Sequence, residues 1–174
     1  YGDAVIRAVM AAGADLGIVP YGTEALGVMR IEKGHIAGSE INGTTTAADL
    51  GLGRMMSNKK DYIGRVLAAR EGLTHPHRPA LVGVKAVDKE ARFFSGAHFL
   101  TRGADVSLAN DQGYVTSVAF SPMLGIWIGL GLLQNGSQRW GERIRAYDPI
   151  HASEVEVEVV SPAFFDPEGG RLRS

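Results

Sequence analysis

Cysteine is absent from the 174 residues, which excludes disulfides, thiol nucleophiles and thiolate metal sites. The absence also fits a reducing compartment, and we expect a cytoplasmic protein. No excess of either charge is present, since 18 Lys and Arg against 19 Asp and Glu give a net charge of −1. The protein therefore has no excess positive charge to attract nucleic acid or an anionic membrane, and neither is expected as a partner.

Long hydrophobic runs are also lacking. The longest apolar stretch, residues 125–133, is too short to cross a bilayer, and no signal-peptide pattern precedes the first predicted helix. What the sequence does contain is a composition typical of folded proteins, with 45% hydrophobic and 21% charged residues. The chain starts at Tyr1 instead of Met and enters a helical pattern at once. We therefore expect a fragment of a longer polypeptide.

The first half has helical periodicity. Apolar residues at helical spacing predict an amphipathic helix over 3–12, which Asp3 caps and Gly13 ends. The apolar face of this helix would consist of Val5, Ile6, Val9 and Met10. A second helix is predicted over 23–34, with Leu26, Met29 and Arg30 on a partly buried stripe. The other elements predicted here are a short helix up to Leu50 capped by residues 44–46, a strand over 53–58, a helix over 62–71 capped by Asp61, and a linker over 72–79.

Beyond residue 80 the pattern changes to that of strands. Strands are predicted over 81–87, 113–120, 126–133, 143–147 and 153–160, separated by turns that contain Gly and Asn. The last is the clearest, because Val155, Val157 and Val159 alternate with glutamates, so that one face is buried and the other wet. Several short strands at this spacing predict a small β-barrel or sandwich.

Four stretches carry a resemblance to a known family. They are YGTEALGVMRIEKGHIAGSEINGTTT (21–46), DLGLGRMMSNKKDYIG (49–64), QGYVTSVAFSPMLGIWIGL (112–130) and VVSPAFFDPEGGR (159–171). In order and spacing they resemble the C-terminal half of the glycine cleavage T-protein family of aminomethyltransferase-like folate enzymes. Within it, RIEKGH and the Lys59-Lys60-Asp61 run look most like the sarcosine oxidase α subunits of heterotetrameric enzymes.

The resemblance implies an α+β fold in two parts. Residues 1–76 would be the C-terminal portion of a folate-binding α/β domain, and residues 77–174 the small antiparallel β-barrel domain that follows it. The family's essential carboxylate lies earlier in the folate-binding domain, so no catalytic residue is expected in this chain, and the chain alone should be inactive.

The same resemblance implies a place in one-carbon metabolism. The complete enzyme would oxidise sarcosine and transfer the one-carbon unit to tetrahydrofolate, giving 5,10-methylenetetrahydrofolate. FMN, FAD and NAD are expected in that complete enzyme and not on this fragment. Its partners would be the β, γ and δ subunits.

Six residues are candidates for contacting folate by this resemblance: Arg30, Glu32, Arg54, Lys59, Phe165 and Arg171. For Arg30 and Glu32 the alternative is a structural ion-pair set that holds a helix to the barrel. Lys59, with Lys60, alternatively only solubilises the surface, and Phe165, with Phe164, alternatively plugs the barrel end. Glu40 follows a glycine-containing turn and either caps a loop near the glutamate tail of folate or is solvated.

Two positions depart from the family pattern. T-proteins carry Ala-Arg-Asp at the start of the second helix, where Ala25, Leu26 and Gly27 stand here, so the folate-contacting arginine is missing. A tryptophan that lies near folate in T-proteins matches Arg54. Both changes alter the chemistry offered to the ligand.

Metal and dinucleotide sites are not indicated. His75 and His77 flank a proline without further ligands, and His35, His98 and His151 are isolated in the sequence, which favours packing or surface roles. The glycines at 51 and 53 lack the preceding strand and the third glycine of a dinucleotide-binding loop. Two alternative functions stay open: a flavin-independent, folate-dependent aminomethyltransferase or demethylase, and a non-catalytic barrel module for subunit assembly.

Overall fold

Helices precede strands along residues 1–173, the part of the chain that the computed structural model describes. The helices are α1 (Gly2–Ala12), α2 (Thr23–Lys33), α3 (Arg65–Ala68) and α4 (Glu71–Thr74). The strands are β1 (Pro79–Ala86), β2 (His98–Leu100), β3 (Gly113–Ser121), β4 (Ile126–Gln134), β5 (Arg143–Asp148) and β6 (Ser153–Val160). None of the helices in this part of the chain is long and apolar enough to cross a membrane.

The six strands form a closed antiparallel barrel. Their order is β1-β4-β3-β2-β5-β6, and β6 returns to pair with β1. Each strand therefore has a hydrogen-bonded neighbour on both sides, with the contact between β2 and β3 limited to His98 and Tyr114. Of the two predicted architectures, barrel and sandwich, the barrel is the one observed.

The barrel interior is filled by alternate side chains of the strands, and two glycines make space for aromatic rings. Val155, Val157 and Val159 are buried as predicted. On β4, Gly129 and Gly131 face the rings of Phe93 and Phe99, and methyl groups added at these glycines would lie 2.9 Å and 2.7 Å from those rings. The two glycines therefore make room for two fully buried aromatic rings.

A second apolar cluster lies outside the barrel, under α2. Alternate β4 residues point outward here, and Ile128, Leu130 and Leu132 pack with Ile31 of α2. The predicted stripe on this helix is wrong for Leu26 and Met29, which are 50% and 44% exposed. Only the C-terminal half of α2 reaches the barrel.

The predicted first helix is confirmed, but its cap is not. Tyr1 precedes the helix, and Asp3 lies in the first turn, where it accepts a hydrogen bond from Arg7. Gly13 ends the helix as expected. The apolar face of α1 is about half exposed, and no residue of the helix is buried.

Residues 44–79 differ most from the predictions. The predicted helix up to Leu50 is a series of turns, and the predicted strand over 53–58 is a 3-10 turn at Gly53–Met55. The predicted helix over 62–71 divides into α3 and α4, with Gly64 and not Asp61 at the start of α3. Helix α4 begins at the last residue of that predicted helix and continues into the predicted linker over 72–79. β2, which was not predicted, has three residues, too few to show alternation.

Candidate functional site

A β-bulge in β3 puts two hydroxyl groups on the outer face of the barrel. Val115 is paired with Gly131 and Ser117 with Leu130, so Thr116 is the extra residue. Side chains of a regular strand alternate between faces, whereas a bulge breaks that alternation. Thr116 and Ser117 consequently both reach outward, next to α2 and the turn that follows it.

These hydroxyls bind the carboxylate of Glu40, which is fully buried. Thr116 Oγ1 and Ser117 Oγ donate to Glu40 Oε1 at 2.5 Å and 2.6 Å. The backbone N–H of Ala37 donates to Glu40 Oε2 at 2.8 Å, and Arg30 Nη1 donates to the same oxygen at 3.0 Å. The interpretation of Glu40 as a solvated residue is wrong.

The carboxylate of Glu40 is held in its charged form. Burial acts to raise the pKa of Glu40, whereas the hydrogen bonds that it accepts and the charge of Arg30 lower it. The net pKa lies below the ordinary value. A buried charge with this many donors is stabilised, and removing one donor leaves it poorly solvated.

Arg30 connects this buried carboxylate to an open cleft. Its Nη2 donates to Ser117 Oγ at 2.6 Å and its Nη1 to the carbonyl oxygen of His35 at 3.4 Å. The cleft has a volume of about 410 Å³ and lies between α2 and β3. Its lining consists of Glu24, Gly27, Val28, Arg30, Ile31, Ser39, Ser95, Thr116, Ser117, Val118 and Ala119.

Glu32 ties α2 to both β3 and the C-terminal segment. Its Oε1 accepts a hydrogen bond from Ser121 Oγ at 2.5 Å, and its backbone carbonyl accepts from the N–H groups of Phe164 and Phe165, both at 2.9 Å. Next to it, Lys33 Nζ lies 3.2 Å from Asp166 Oδ2. The segment after β6 is therefore anchored at the C-terminal end of α2.

Asp49 and Arg78 form a third attachment. Arg78 donates to both carboxylate oxygens of Asp49, with the shortest contact 2.6 Å, and also to the carbonyl of Thr44. Burial acts to raise the pKa of Asp49, but the hydrogen bonds from Arg78 and Thr46 lower it below the ordinary value. This pair fixes the turns before residue 50 to the start of β1.

The predicted folate residues fall into three places. Arg30 and Glu32 lie at the junction of α2 and β3, where both reach the same strand although they are two residues apart. Phe165 and Arg171 lie in the C-terminal segment, with the guanidinium carbon of Arg171 4.7 Å from the ring centroid of Phe165. Arg54 and Lys59 are exposed on the segment before α3, and no hydrogen bond or ion pair among the described residues joins them to the junction.

Thr116 and Ser117 were missed by sequence reasoning. The signal was two adjacent polar residues in an otherwise alternating strand, VTSV, which indicates a bulge. Within residues 1–173, no group of three or more His, Cys, Asp or Glu side chains is placed to hold a metal ion. His98 and His151 instead pair with Asp111 and Asp148.

Two family descriptions match this chain. The GCVT N-terminal domain matches residues 1–60, and the glycine cleavage T-protein C-terminal barrel domain matches residues 80–166. The chain therefore belongs to the glycine cleavage T-protein family. Residues 61–79 lie in neither match, so the boundary between 76 and 77 stays a prediction.

Within the family, the chain is similar to sarcosine oxidase α subunits. It is 48% identical over 173 residues to the sarcosine oxidase subunit alpha of Rhizobium meliloti strain 1021, covering 99% of this chain and 18% of that protein. It is 38% identical over 174 residues to the corresponding subunit of Corynebacterium sp. strain U-96, covering 98% and 18%. The chain thus spans about a fifth of the length of these relatives.

The fold is shared with a solved aminomethyltransferase. The crystal structure of glycine cleavage system aminomethyltransferase T from Bartonella henselae superposes with a TM-score of 0.76 at 21% identity. The match covers 92% of this chain and 44% of that chain. The resemblance predicted from the four sequence stretches is confirmed at the level of family and fold.

Proposed function

We propose that this chain is the C-terminal part of a sarcosine oxidase α subunit that binds tetrahydrofolate. In the complete enzyme, the one-carbon unit released by sarcosine oxidation would pass to tetrahydrofolate and give 5,10-methylenetetrahydrofolate. The observation that supports this most is the 48% identity over nearly the whole chain to a relative of that name. Because the chain spans only 18% of that relative, the reaction is proposed for the complete enzyme.

The cleft between α2 and β3 suits one part of a folate molecule. Its volume of about 410 Å³ lies within the range of about 300–1,000 Å³ usual for ligand pockets. The apolar side chains of Val28, Ile31 and Ala119 would pack against a flat, apolar part of the folate. When bound, tetrahydrofolate would supply the two nitrogens between which the transferred carbon is held.

Arg30 is the residue of this chain that we propose orients the ligand. Its hydrogen bonds to His35, Glu40 and Ser117 use Nη1 and Nη2, and a guanidinium carries about five N–H donors in all. Glu40 and Ser117 hold the group in one orientation, so that its remaining donors are presented in a fixed direction. Glu32 acts indirectly, by attaching the C-terminal segment to α2.

The other candidate residues do not line this cleft, and we propose that they contact other parts of the folate. Phe165 offers an aromatic face beside the cation of Arg171, a combination that suits a planar ring with polar edges. Arg54 and Lys59 are exposed cations that would meet the carboxylates of the glutamate tail. Exposed charges of this kind contribute little individually, so Arg30 is expected to dominate.

The chemical step is assigned to chain outside these 174 residues. The catalytic carboxylate, the FMN, FAD and NAD sites and the contacts with the β, γ and δ subunits all belong to the proposal for the whole enzyme, as does its cytoplasmic location. What this chain supplies is a wall of the folate site and the barrel that supports it. We therefore expect no activity from the chain alone.

Calorimetric titration with tetrahydrofolate, combined with product analysis, tests the proposal. The full-length subunit in its complex should bind tetrahydrofolate and convert sarcosine carbon to 5,10-methylenetetrahydrofolate, and the isolated chain should bind weakly or not at all. Arg30→Lys should raise the KM for tetrahydrofolate while sarcosine oxidation is unchanged. Arg143→Lys, at an exposed arginine of β5, is the matched control.

Three outcomes would contradict the proposal. Tight binding by the isolated chain would place the whole folate site within it. Product formation without reduction of a flavin would favour the flavin-independent transferase or demethylase. Unchanged folate-dependent product in a variant carrying Arg54→Ala, Lys59→Ala and Arg30→Lys would favour the non-catalytic assembly module.

A further inference from the structure

The barrel carries a separate apolar surface on the side away from α2. Two strands separate β4, which lies under α2, from β5 in either direction around the barrel, so β5 stands opposite the helix. A cleft of about 300 Å³ opens on that side and is lined by residues of β2, of β5 and of the loop between β2 and β3. This cleft shares no lining residue with the cleft beside Arg30.

The walls of this cleft are mainly apolar. They include Leu100, Val106, Leu108, Tyr147 and Pro149. Leu108 is 94% exposed and Val106 54% exposed, and Ile150, which follows Pro149, is 88% exposed. Apolar side chains gain free energy when they leave water, and grouped apolar surface rimmed by polar residues marks a place of protein contact.

Hydrogen bonds hold the loop that presents these side chains. Arg145 of β5 donates to the carbonyl oxygen of Thr101 at 3.3 Å and also to that of Ala104. Asn110 Nδ2 donates to the carbonyl oxygen of Asp105 at 2.9 Å. The loop is therefore fixed on both sides of its apolar tip. A loop that is already ordered loses little conformational entropy when it binds a partner.

The charges around the tip are paired, with one exception. β2 and the loop after it contain four ionisable side chains. His98 Nδ1 lies 2.9 Å from Asp111 Oδ2, and Arg102 Nε lies 3.6 Å from Glu156 Oε1. The fourth is the exposed Asp105, whose carboxylate has no cation within 4 Å among residues 1–173. A partner thus meets an apolar surface with a single unpaired negative charge.

We propose that this surface, formed by Val106, Leu108 and Ile150, binds another subunit of the complex. The segment of that subunit would place a bulky apolar side chain in the cleft and a lysine or arginine beside Asp105. The inference rests on the proposed function, from which the existence of partner subunits is taken. Apolar contact at the centre supplies affinity, and one charge pair at the edge selects the partner.

Photo-cross-linking in the assembled complex tests this inference. A benzophenone amino acid replaces Leu108 in the full-length α subunit, which is produced together with its partner subunits. It should cross-link to a different subunit, at a peptide that contains a lysine or arginine close to a bulky apolar residue. The same probe at the exposed Gln138, which lies between β4 and β5 at the opposite end of β5, should not label that peptide.

Two variants of the full-length subunit measure the contributions to assembly. Leu108→Asp should weaken association with that partner by about tenfold or more, as expected for a charge placed at an apolar anchor. Its unfolding in urea should stay as in wild type, because the side chain is exposed. Asp105→Asn should weaken association by about two- to fivefold, and less at high salt. Gln138→Asp is the matched control and should assemble as wild type does.

Three results would overturn this inference alone. They are cross-links from position 108 only within the α subunit or to a second copy of it, no cross-link to another subunit, and wild-type association in Leu108→Asp. If the wild-type α subunit forms no complex with any other subunit, the proposed function and this inference are both wrong. That result is distinguishable, because it is seen before any residue is changed.

Discussion

Inside the barrel, thirteen buried apolar residues form a single cluster, whereas α1 contains no buried residue. The segment before the barrel is attached by one small apolar cluster under α2 and by polar contacts that include Glu40 with Thr116 and Ser117, Glu32 with Ser121, and Asp49 with Arg78. Apolar burial stabilises in proportion to area and is insensitive to pH, while buried carboxylates depend on their protonation. The two regions should therefore respond to different perturbations.

The largest effect is expected inside the barrel. Phe99→Ala removes a fully buried ring that lies against Gly131, and large-to-small changes of this type cost about 3–5 kcal/mol. Both tryptophans, Trp127 and Trp140, belong to the barrel region, so urea unfolding followed by tryptophan fluorescence reports on it. Leu108→Ala, at a 94% exposed side chain, should change the unfolding free energy by less than about 0.5 kcal/mol. Similar losses of unfolding free energy in the two variants would contradict the assignment of the main apolar core to the barrel interior.

Glu40→Gln should produce the next largest effect. The amide cannot neutralise Arg30 and accepts fewer of the four hydrogen bonds, so a loss of about 2–4 kcal/mol is expected for the attachment of residues 30–45. Limited proteolysis should cut this region faster while the fluorescence transition of the barrel changes less. Glu71→Gln, at an exposed glutamate, serves as the control. Equal proteolysis of the two variants would contradict the role given to Glu40.

Acid should loosen the segment that precedes the barrel in the chain at a higher pH than it unfolds the barrel. The pKa values of Glu40 and Asp49 are lower in the folded chain than their ordinary values of 4.5 and 3.8. Their contribution is therefore complete above the ordinary values and is lost as pH falls through the lowered ones. The effect should be smaller than that of Glu40→Gln, since the lowered pKa of Glu40 opposes its protonation. Proteolysis at pH 7 and pH 3 with an acid-tolerant protease measures it, and the pH dependence should be reduced in Glu40→Gln.

Arg78→Lys should give the smallest effect. Lysine keeps the positive charge beside Asp49 but loses the paired donors of the guanidinium, at a cost of about 1 kcal/mol. Hydrogen exchange in residues 44–50 should become faster, with β1 to β6 unchanged. Protection in this segment equal to that of wild type would show that the turns before β1 are held by something other than this pair.

The barrel could be predicted from the sequence because its strands carry their own pattern. In β6 the alternation of valine and glutamate directly encodes which face is buried, and five of the six strands were located. β2 has only three residues, so it shows no period. The family resemblance could be predicted as well, since four separate stretches support it.

The attached segment could not be predicted in the same way. The strand predicted over 53–58 finds no partner, because the six strands of the barrel already neighbour one another in a closed order, and Gly53–Met55 forms a 3-10 turn. The burial of Glu40 depends on Thr116 and Ser117, which lie more than 70 residues away. Local pattern contains no information about a partner at that separation.

The bulge at Thr116 changes which residue numbers point inward. Before it, the odd-numbered Val115 faces the core, and after it the even-numbered Val118 does so. Deleting Thr116 would therefore leave Val115 and Val118 inward and Ser117 outward, the order of a plain strand. Removal of this one residue is therefore compatible with the barrel interior. It would change how firmly the buried carboxylate, and the helix beyond it, is held.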